Sequence, residues 1–258
     1  MPRISFLELL RSGRPLLGTW SQIASEECVD LIGAAGFDFT IVDCEHGAFG
    51  IETAERLMRA ADANGLAPLV RSPGKDGSFI GRALDAGATA VVVPAIGSAE
   101  EAAAAVAATR YAPDGTRGAC PCVRAAHHMA WDWRGYTTSQ QRDTGIVALV
   151  ETAPGVADIE RIVRIEGLAA LMVGPFDLAV AMGRQGDYLA GDVREALDRM
   201  LKAASGRVPV VMPLFDPSPD EGARQKAYWI DRGVNHFVVG TDKILFADAA
   251  RRYAQRLK

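Results

Sequence analysis

Short apolar segments alternate with alanine-rich amphipathic segments along most of this 258-residue chain, and the alternation repeats eight times. Each apolar segment has the length and composition of a strand buried on both faces of a parallel sheet, and each amphipathic segment has helical spacing. Eight such units favour an α/β fold, the TIM (β/α)8 barrel, with a short extra helix at the N-terminus. The predicted strands are Leu16 to Trp20, Phe37 to Asp43, Ala67 to Arg71, Ala88 to Val93, Ile146 to Glu151, Leu168 to Val173, Val208 to Met212 and Asn235 to Val239.

A barrel of this type uses roughly 250 residues, so we expect residues 1–258 to form a single domain. The alternative is an open doubly wound sheet that binds a dinucleotide. It would require Gly-x-Gly-x-x-Gly after the first strand, but the residues there are Trp20-Ser21-Gln22-Ile23-Ala24-Ser25. The segment from Tyr111 to Asp143, between the fourth helix and the fifth strand, is long, and we expect it to cover a site.

Charge and composition disfavour several classes of partner. A formal charge of −4 and a pI near 5.6 provide no basic surface for nucleic acid. No segment approaches the roughly 20 apolar residues that cross a bilayer, and the N-terminus lacks the apolar core of a signal peptide, so no membrane partner is expected. The cysteines are too few for a disulfide scaffold, which favours a cytoplasmic protein with reduced thiols: Cys28, Cys44, Cys120 and Cys122.

The second predicted strand ends in a cluster of polar residues that strand packing does not require. Asp43, Glu45 and His46 follow the apolar run, and in a TIM barrel the carboxyl ends of the strands face the active site. Beside a carboxylate from Asp43 or Glu45, His46 becomes a candidate general base. The alternative interpretation is a polar turn with a helix N-cap.

Two further carboxylates are predicted on neighbouring strands at the same end of the barrel. Glu151 closes the fifth strand, and Asp177 follows the sixth strand after Gly174-Pro175-Phe176. Two carboxylates without a nearby lysine suit a hard divalent cation, which keeps several positions for oxygen atoms of water or substrate. In the alternative interpretation, Asp177 caps the following helix and Glu151 is a surface residue. A zinc site at Cys120, Cys122, His127 and His128 is another alternative, although its spacing matches no common zinc pattern.

Arg71 ends the third strand and presents a permanently charged guanidinium, which suits a carboxylate or a developing enolate oxygen. A structural ion pair with an acid is the alternative role. None of the five lysines ends a predicted strand, which disfavours an imine mechanism, with Lys75 in the loop after Arg71 as the weak exception. In the turn Gly240-Thr241-Asp242 a helix cap is favoured over a phosphate site.

Taken together, these positions resemble the HpcH/HpaI family of metal-dependent (class II) pyruvate aldolases, typified by 4-hydroxy-2-oxoheptanedioate aldolase. The resemblance covers nearly the whole chain, and the order and spacing of its motifs make it specific. The motifs are Ala35-Gly36-Phe37-Asp38, Asp43-Cys44-Glu45-His46, Val70-Arg71, Leu84-Asp85-Ala86-Gly87-Ala88, Val93-Pro94, Thr109-Arg110-Tyr111, Arg117-Gly118, Val150-Glu151-Thr152 and Gly174-Pro175-Phe176-Asp177-Leu178.

The resemblance implies a TIM-barrel homo-oligomer, a hexamer built as a trimer of dimers, that acts on a small 2-oxo acid and an aldehyde. It implies a divalent ion (Mg, Mn or Co) on Glu151 and Asp177. The implied reaction is reversible cleavage of 4-hydroxy-2-oxo acids to pyruvate or hydroxypyruvate and an aldehyde through a metal-bound enolate, as in aromatic catabolism. His46 would accept the proton, Arg71 would stabilise the transition state, and Asp85 would raise the basicity of the histidine. Because Asp85 ends a helix, it should lie at the opposite end of its own barrel and act in a neighbouring protomer.

Two positions depart from the family pattern. Leu149 stands where the family commonly has a glutamine that contacts substrate, and an apolar side chain cannot replace that hydrogen bond. Backbone amides near Phe176 and Asp177, after Gly174, would still bind the donor carboxylate. The loop Arg124-Ala125-Ala126-His127-His128 carries histidine where many relatives have arginine or serine. The residues that we expect to set acceptor size are Met212, Leu214, Trp131 and Trp133.

Two rival functions remain at the level of sequence. The first is a lyase of the citrate lyase β-subunit type acting on acyl-CoA esters, which would share the barrel and the metal carboxylates. It predicts a basic groove of nucleotide size, and the sequence shows no clear one. The second is a catalytically silent barrel that binds an oxoacid as a sensor. The complete set His46, Arg71, Glu151 and Asp177 favours an enzyme over a sensor.

Overall fold

The computed structural model describes residues 3–216 and 218–258. Eight parallel strands close into a barrel in which each strand is hydrogen-bonded to its neighbours in chain order. The TIM barrel predicted from the alternating pattern is therefore confirmed. The strands are β1 (Leu16–Ser21), β2 (Phe39–Asp43), β3 (Ala67–Arg71), β4 (Ala90–Val93), β5 (Gly145–Val150), β6 (Leu168–Val173), β7 (Val210–Leu214) and β8 (His236–Thr241).

Helices surround the barrel, and the short extra N-terminal helix is present as α1. Phe6 of α1 is fully buried and packs on Phe39 at the start of β2, with 5.1 Å between the ring centroids, so α1 closes the amino-terminal end of the barrel. Within the described ranges no helix combines the length and the apolar character needed to cross a membrane. The helices are α1 (Phe6–Arg11), α2 (Glu26–Ala34), α3 (Ile51–Ala63), α4 (Gly77–Asp85), α5 (Ala99–Ala107), α6 (Trp133–Asp143), α7 (Ala153–Ala157), α8 (Ile159–Ile162), α9 (Pro175–Ala181), α10 (Gly191–Ala204), α11 (Pro219–Ile230) and α12 (Asp242–Leu257).

The apolar core has two layers because side chains alternate along each strand. One layer fills the barrel interior, and the other lies between the strands and the helices. In the interior, Phe39 lies directly against Gly18 of β1, where a Cβ atom would stand 2.3 Å from the phenyl ring. The interior layer includes Leu16, Trp20, Phe39, Ile41, Leu69, Val92, Val147, Leu149, Met172, Val211 and Val238.

The seventh strand begins two residues later than the sequence suggested. The amide of Val208 donates to the carbonyl of Ala204 (3.1 Å), so Val208 still lies in the turn that follows α10. Pro209 has no amide hydrogen to donate to a strand ladder. Regular pairing therefore starts at Val210, and the strand continues to Leu214.

The long segment from Tyr111 to Asp143 does not lie where the sequence analysis expected it. It connects a helix to the following strand, so it lies at the amino-terminal end of the barrel and not over the carboxyl ends of the strands. There a short 3-10 helix (Arg124–Ala126) packs on α4, and α6 packs on α1. Trp133 stacks with Tyr111 (5.1 Å between centroids), and Trp131 is exposed to solvent. These tryptophans are therefore remote from the barrel mouth of their own chain.

Candidate active site

The carboxyl ends of the strands, which we call the mouth, hold a buried ion pair between Asp43 and Arg71. The two residues are direct neighbours in the register of β2 and β3. Arg71 Nε donates to Asp43 Oδ1 (2.8 Å) and Arg71 Nη2 donates to Asp43 Oδ2 (2.5 Å), which is a bidentate geometry. Asp43 is completely buried and Arg71 nearly so. Such a pair holds the guanidinium in one orientation, because rotation would break two charge-assisted hydrogen bonds at once.

Two residues at the end of the first strand complete this part of the mouth, Trp20 within β1 and Gln22 directly after it, and the sequence analysis assigned neither of them a role. The guanidinium carbon of Arg71 lies 4.2 Å from the ring centroid of Trp20, in a cation–π contact. The side-chain amide of Gln22 donates to Asp43 Oδ2 (2.7 Å). We refer to Trp20, Gln22, Asp43 and Arg71 as the arginine cluster. Their position at the end of β1 could have identified both residues, because the carboxyl end of every strand of a TIM barrel faces the active site.

Asp43 accepts from five donors. Besides Arg71 and Gln22, the backbone amides of Glu45 and His46 donate to Asp43 Oδ1, each at 3.1 Å. Burial alone would raise the pKa of the Asp43 carboxyl, but the hydrogen bonds and charge of Arg71 and the amide of Gln22 outweigh it, so the pKa is lowered. Asp43 is therefore an ionised anchor for the arginine.

This arrangement corrects the expected role of Asp43. We expected Asp43 or Glu45 to orient the imidazole of His46, but the Asp43 carboxylate is bonded to Arg71 and reaches His46 only through its backbone amide. Glu45 is the carboxylate near the ring: its Oε2 lies 3.9 Å from His46 Nε2 and 3.1 Å from Arg71 Nη1. The His46 side chain itself is 61% exposed. His46 can therefore reach a molecule bound in the mouth, with Glu45 between it and the arginine.

Glu151 and Asp177, which we call the acidic pair, lie at the mouth beyond β5 and β6. Glu151 is buried, and one of its oxygens accepts from the amide of Ala95 (2.9 Å). Burial raises the pKa of the Glu151 carboxyl to about 7, and the charges of Asp177 and Glu45 add smaller contributions in the same direction. The hydrogen bond from the Ala95 amide opposes them. Burial also raises the pKa of Glu45, with the charge of Asp177 adding to it. These carboxylates thus repel one another at neutral pH.

The acidic pair has the donor chemistry of a site for a hard divalent cation. Carboxylate oxygens are the preferred ligands of such ions, and a cation would compensate both the burial of the Glu151 carboxylate and its repulsion by Asp177, which together raise its pKa. Nowhere in residues 3–216 and 218–258 do three or more histidine, cysteine, aspartate or glutamate side chains converge as a metal cluster, including at Cys120 and Cys122. A pair of carboxylates that leaves the other positions to water or substrate oxygen is the arrangement that magnesium commonly uses.

Gly174, Phe176 and Leu149 surround the acidic pair. A Cβ atom at Gly174 would stand 2.5 Å from Glu151 Cβ and Oε2, so only glycine leaves space for the Glu151 side chain there. Phe176 is about half exposed at the start of α9. Leu149 is buried in the barrel interior two residues before Glu151, on the same face of β5. The floor below Glu151 is therefore apolar.

Other predicted residues lie elsewhere. Asp85 ends α4 and precedes β4, so it lies at the amino-terminal end of the barrel, as expected, and not beside His46 of the same chain. Its carboxylate accepts from Arg117 Nη2 (2.6 Å), and the side chain of Arg117 is fully buried. Met212 and Leu214 are buried in the layer between strands and helices, so they do not present the acceptor surface that we expected.

Comparison with known proteins identifies the family of this chain. The sequence model of the family described as HpcH/HpaI aldolase/citrate lyase matches residues 16–228. A hydroxypyruvate/pyruvate aldolase from Roseovarius nubinhibens is 31% identical over 253 residues, which cover 97% of this chain and 95% of that protein. A 5-keto-4-deoxy-D-glucarate aldolase from Escherichia coli is also 31% identical over 253 residues, covering 98% of this chain and 96% of the relative.

A solved structure shows the same architecture. A HpcH/HpaI aldolase/citrate lyase family protein from Burkholderia cenocepacia superposes with a TM-score of 0.89 at 32% sequence identity, over 97% of this chain and 98% of that one. Fold, family match and full-length relatives thus agree. The chain belongs to the HpcH/HpaI aldolase/citrate lyase family and is an aldolase, a carbon–carbon lyase.

Proposed function

We propose that this aldolase is metal-dependent and reversibly cleaves 4-hydroxy-2-oxo acids to pyruvate or hydroxypyruvate and an aldehyde. The observation that carries the proposal is the mouth itself, where a fixed guanidinium (Arg71) stands near two carboxylates (Glu151 and Asp177) whose repulsion a cation would relieve. The name of the relative from Roseovarius nubinhibens, a hydroxypyruvate/pyruvate aldolase, supports this class of donor.

Arg71 holds the negative charge that develops on the oxygen of the donor when the carbon–carbon bond breaks. Asp43 and Trp20 fix two sides of its guanidinium, so little reorganisation is needed as the charge grows. A divalent ion (Mg, Mn or Co) on Glu151 and Asp177 would supply a Lewis acid for the keto oxygen. Gly174 keeps the space beside Glu151 open for that ligand set.

His46 is the proposed proton acceptor. In cleavage it removes the proton of the 4-hydroxyl group, and in the reverse direction it removes a proton from the methyl group of the donor. Its exposed imidazole can reach a bound substrate, and the Glu45 carboxylate lies 3.9 Å from Nε2. The donor carboxylate is assigned to backbone amides near Phe176 and Asp177, because Leu149 cannot donate a hydrogen bond.

A homo-oligomer is part of the proposal. Helix α12 carries Phe246, Tyr253 and Leu257, each at least 70% exposed, on a helix that buries little else. Exposed aromatic and aliphatic side chains along one helix favour contact with a second copy of the chain. In such an assembly, the hexamer or a smaller form, Asp85 is proposed to act beside the partner's His46. Analytical ultracentrifugation gives the assembly state, and a strictly monomeric, fully active enzyme would contradict it.

A cytoplasmic location completes the proposal. The cysteines Cys28, Cys44, Cys120 and Cys122 are all free, which suits a reducing compartment. Burial and the neighbouring Asp43 carboxylate raise the pKa of the Cys44 thiol to about 12, so this thiol stays protonated and inert. Cell fractionation with an antibody to the chain tests the location directly.

The reaction is tested by pyruvate release from a panel of 4-hydroxy-2-oxo acids, with Mg, Mn or Co added after EDTA treatment. We expect activity that EDTA abolishes and a divalent ion restores. Release that is insensitive to EDTA would contradict the metal, and cleavage of acyl-CoA esters alone would contradict the substrate class. For the base, His46→Ala should abolish hydrogen exchange at C3 of pyruvate in D2O, whereas His236→Gln, at the amino-terminal end of β8, should retain it.

A further inference from the structure

A chain of hydrogen bonds joins the loop after β8 to the catalytic arginine. It begins at Asp242, a buried carboxylate at the start of α12. Asp242 accepts from the backbone amide of Gln22 (3.0 and 3.1 Å) and of Ile23 (2.9 Å), both in the loop after β1, and from the amide of Lys243 (2.8 Å). One carboxylate therefore holds the backbone at Gln22 in place across the seam between the last and the first strand.

The side chain of Gln22 continues the chain of contacts toward the mouth. Its Nε2 donates to Asp43 Oδ2 at 2.7 Å. An ionised carboxylate only accepts hydrogen bonds, so the amide must present its nitrogen, and not its oxygen, to Asp43. With the backbone of Gln22 fixed by Asp242, this requirement leaves the side chain one orientation.

The two carboxylate oxygens of Asp43 accept different numbers of hydrogen bonds. Oδ1 accepts from Arg71 Nε and from two backbone amides of its own loop. This oxygen therefore keeps three donors when the side chain of Gln22 is replaced. Among the residues that the structure describes, Oδ2 accepts from Arg71 Nη2 and Gln22 Nε2 alone. Without the Gln22 amide, a completely buried anionic oxygen would depend on the guanidinium only, and rotation of the carboxylate would displace Arg71 with it.

We propose that Gln22 is a positioning residue for Arg71: its amide fixes Oδ2 of Asp43 and thereby the orientation of the guanidinium that faces the substrate. This inference rests on the proposed function, in which Arg71 stabilises the developing enolate. Stabilisation of that kind depends on donors placed to a fraction of an ångström before the charge develops, so a loosened Asp43 lowers turnover more than binding.

The test compares two isosteric variants, Gln22→Met and Gln22→Glu, in the full-length protein. Methionine cannot donate to Asp43, so kcat should fall about 10-fold to 100-fold, while KM for the oxo acid and the affinity for the divalent ion stay within about twofold of wild type. Gln225→Met is the matched control, because Gln225 also bonds a carboxylate (Glu221) but lies on α11. Its kcat should be unchanged.

Gln22→Glu distinguishes positioning from a loss of packing. A protonated glutamic acid can donate its hydroxyl hydrogen to Asp43, whereas an ionised one repels Asp43. The ratio of kcat for Gln22→Glu to that for Gln22→Met should therefore rise as the pH falls. The charged groups around this position, which are the same in both variants, are Asp43, Glu45, Arg71 and Asp242. Equal pH profiles for the two variants would overturn the proposal, as would a Gln22→Met enzyme with wild-type kcat.

Crystal structures of wild type and Gln22→Met separate this inference from the function on which it rests. If wild type cleaves no 4-hydroxy-2-oxo acid, the proposed function fails, but the structures still decide the positioning role. A guanidinium displaced from its bidentate contact with Asp43 in Gln22→Met supports the inference. An Arg71 that keeps both contacts at the wild-type distances overturns it.

Discussion

The two sides of the mouth differ in how their charges are compensated. In the arginine cluster, Asp43 and Arg71 neutralise each other, and Gln22 and Trp20 support them. In the acidic pair, Glu151 has one backbone donor, and its burial together with the nearby charge of Asp177 raises its pKa. The first side is complete within the protein, whereas the second is arranged to gain a positive charge. The proposed mechanism uses both sides: Arg71 holds the charge that develops on the donor oxygen, and the acidic pair would bind the cation.

The comparison predicts that replacing a charged residue by an uncharged one changes the stability of the protein in opposite directions on the two sides. On the complete side, removal of one partner leaves a buried charge without compensation, which is strongly destabilising. On the acidic side, removal of one carboxylate relieves repulsion in the metal-free protein. Stability and activity measured together therefore tell the two sides apart.

The largest effect is expected for Arg71→Met. Loss of the guanidinium should lower kcat by about 10²–10³-fold, as removal of one oxyanion donor does in other enzymes. It should also lower the free energy of unfolding by about 3–5 kcal/mol, because Asp43 remains buried and ionised. Steady-state kinetics and chemical denaturation measure both quantities. An active, equally stable Arg71→Met enzyme would show that the ion pair is not the element that organises the mouth.

Glu151→Gln should act in the opposite direction on stability. The pKa of Glu151 is raised from its ordinary value to about 7, so its ionised form is disfavoured in the folded, metal-free protein, and stability is lost as the pH rises from about 4.5 through about 7. The glutamine variant lacks this loss and should be about 1–3 kcal/mol more stable at pH 8 in EDTA, with little difference at pH 4.5. Denaturation at both pH values tests the sign.

The same substitution should weaken binding of the divalent ion, since one of two carboxylate ligands is lost. Isothermal titration calorimetry with Mn measures this, and Glu160→Gln on α8 serves as a control for the charge change. Unchanged affinity in Glu151→Gln would place the ion elsewhere.

Metal binding should release a proton in the wild type. Glu151 is largely protonated below its pKa of about 7, and a bound cation requires the ionised form. The apparent affinity should therefore fall about tenfold per pH unit below pH 7. Calorimetry in two buffers of different ionisation enthalpy counts the protons released near pH 6, and a count of zero would contradict the raised pKa.

The smallest effect is expected for Trp20→Leu. The cation–π contact contributes about 0.5–2 kcal/mol, and leucine retains much of the buried apolar surface. We expect kcat to fall several-fold, with the metal affinity unchanged, because Trp20 belongs to the arginine cluster alone. A change in metal affinity equal to the change in kcat would mean that the two sides of the mouth are not independent.

The fold was predictable from sequence because the length of the apolar segments and their alternation with amphipathic segments are enough to count the strands of a parallel barrel. Strand boundaries were not, as at β7, where Val208 lies in the turn after α10 and Pro209 has no amide hydrogen for the strand ladder. At the site, the rule that strand ends face the mouth found Arg71 and Glu151, which carry charge and attract notice. The rule applies equally to Gln22 after β1, but Gln22 was assigned no role, because a neutral side chain does not indicate its partner and Asp43 is distant in sequence.

The placement of the segment from Tyr111 to Asp143 failed for a different reason. Its length was read as a sign of function, whereas its position between a helix and a strand already places it at the amino-terminal end. Asp85 was placed at that end by the same reasoning, correctly. The ion pair between Asp85 and the buried Arg117 could not be predicted from the sequence, because it depends on the path of that long segment.

The contact of Asp242 with the loop after β1 has a consequence for the order in which the protein is made. Proteins are synthesised from the N-terminus, so β1 to β3, with Asp43 and Arg71, leave the ribosome long before residue 242 exists. Until then the loop at Gln22 lacks the carboxylate that accepts its amides. A growing chain can therefore contain the complete set of reactive side chains without a rigid mouth. The contacts that fix the loop at Gln22 are therefore completed only after the last strand has been made.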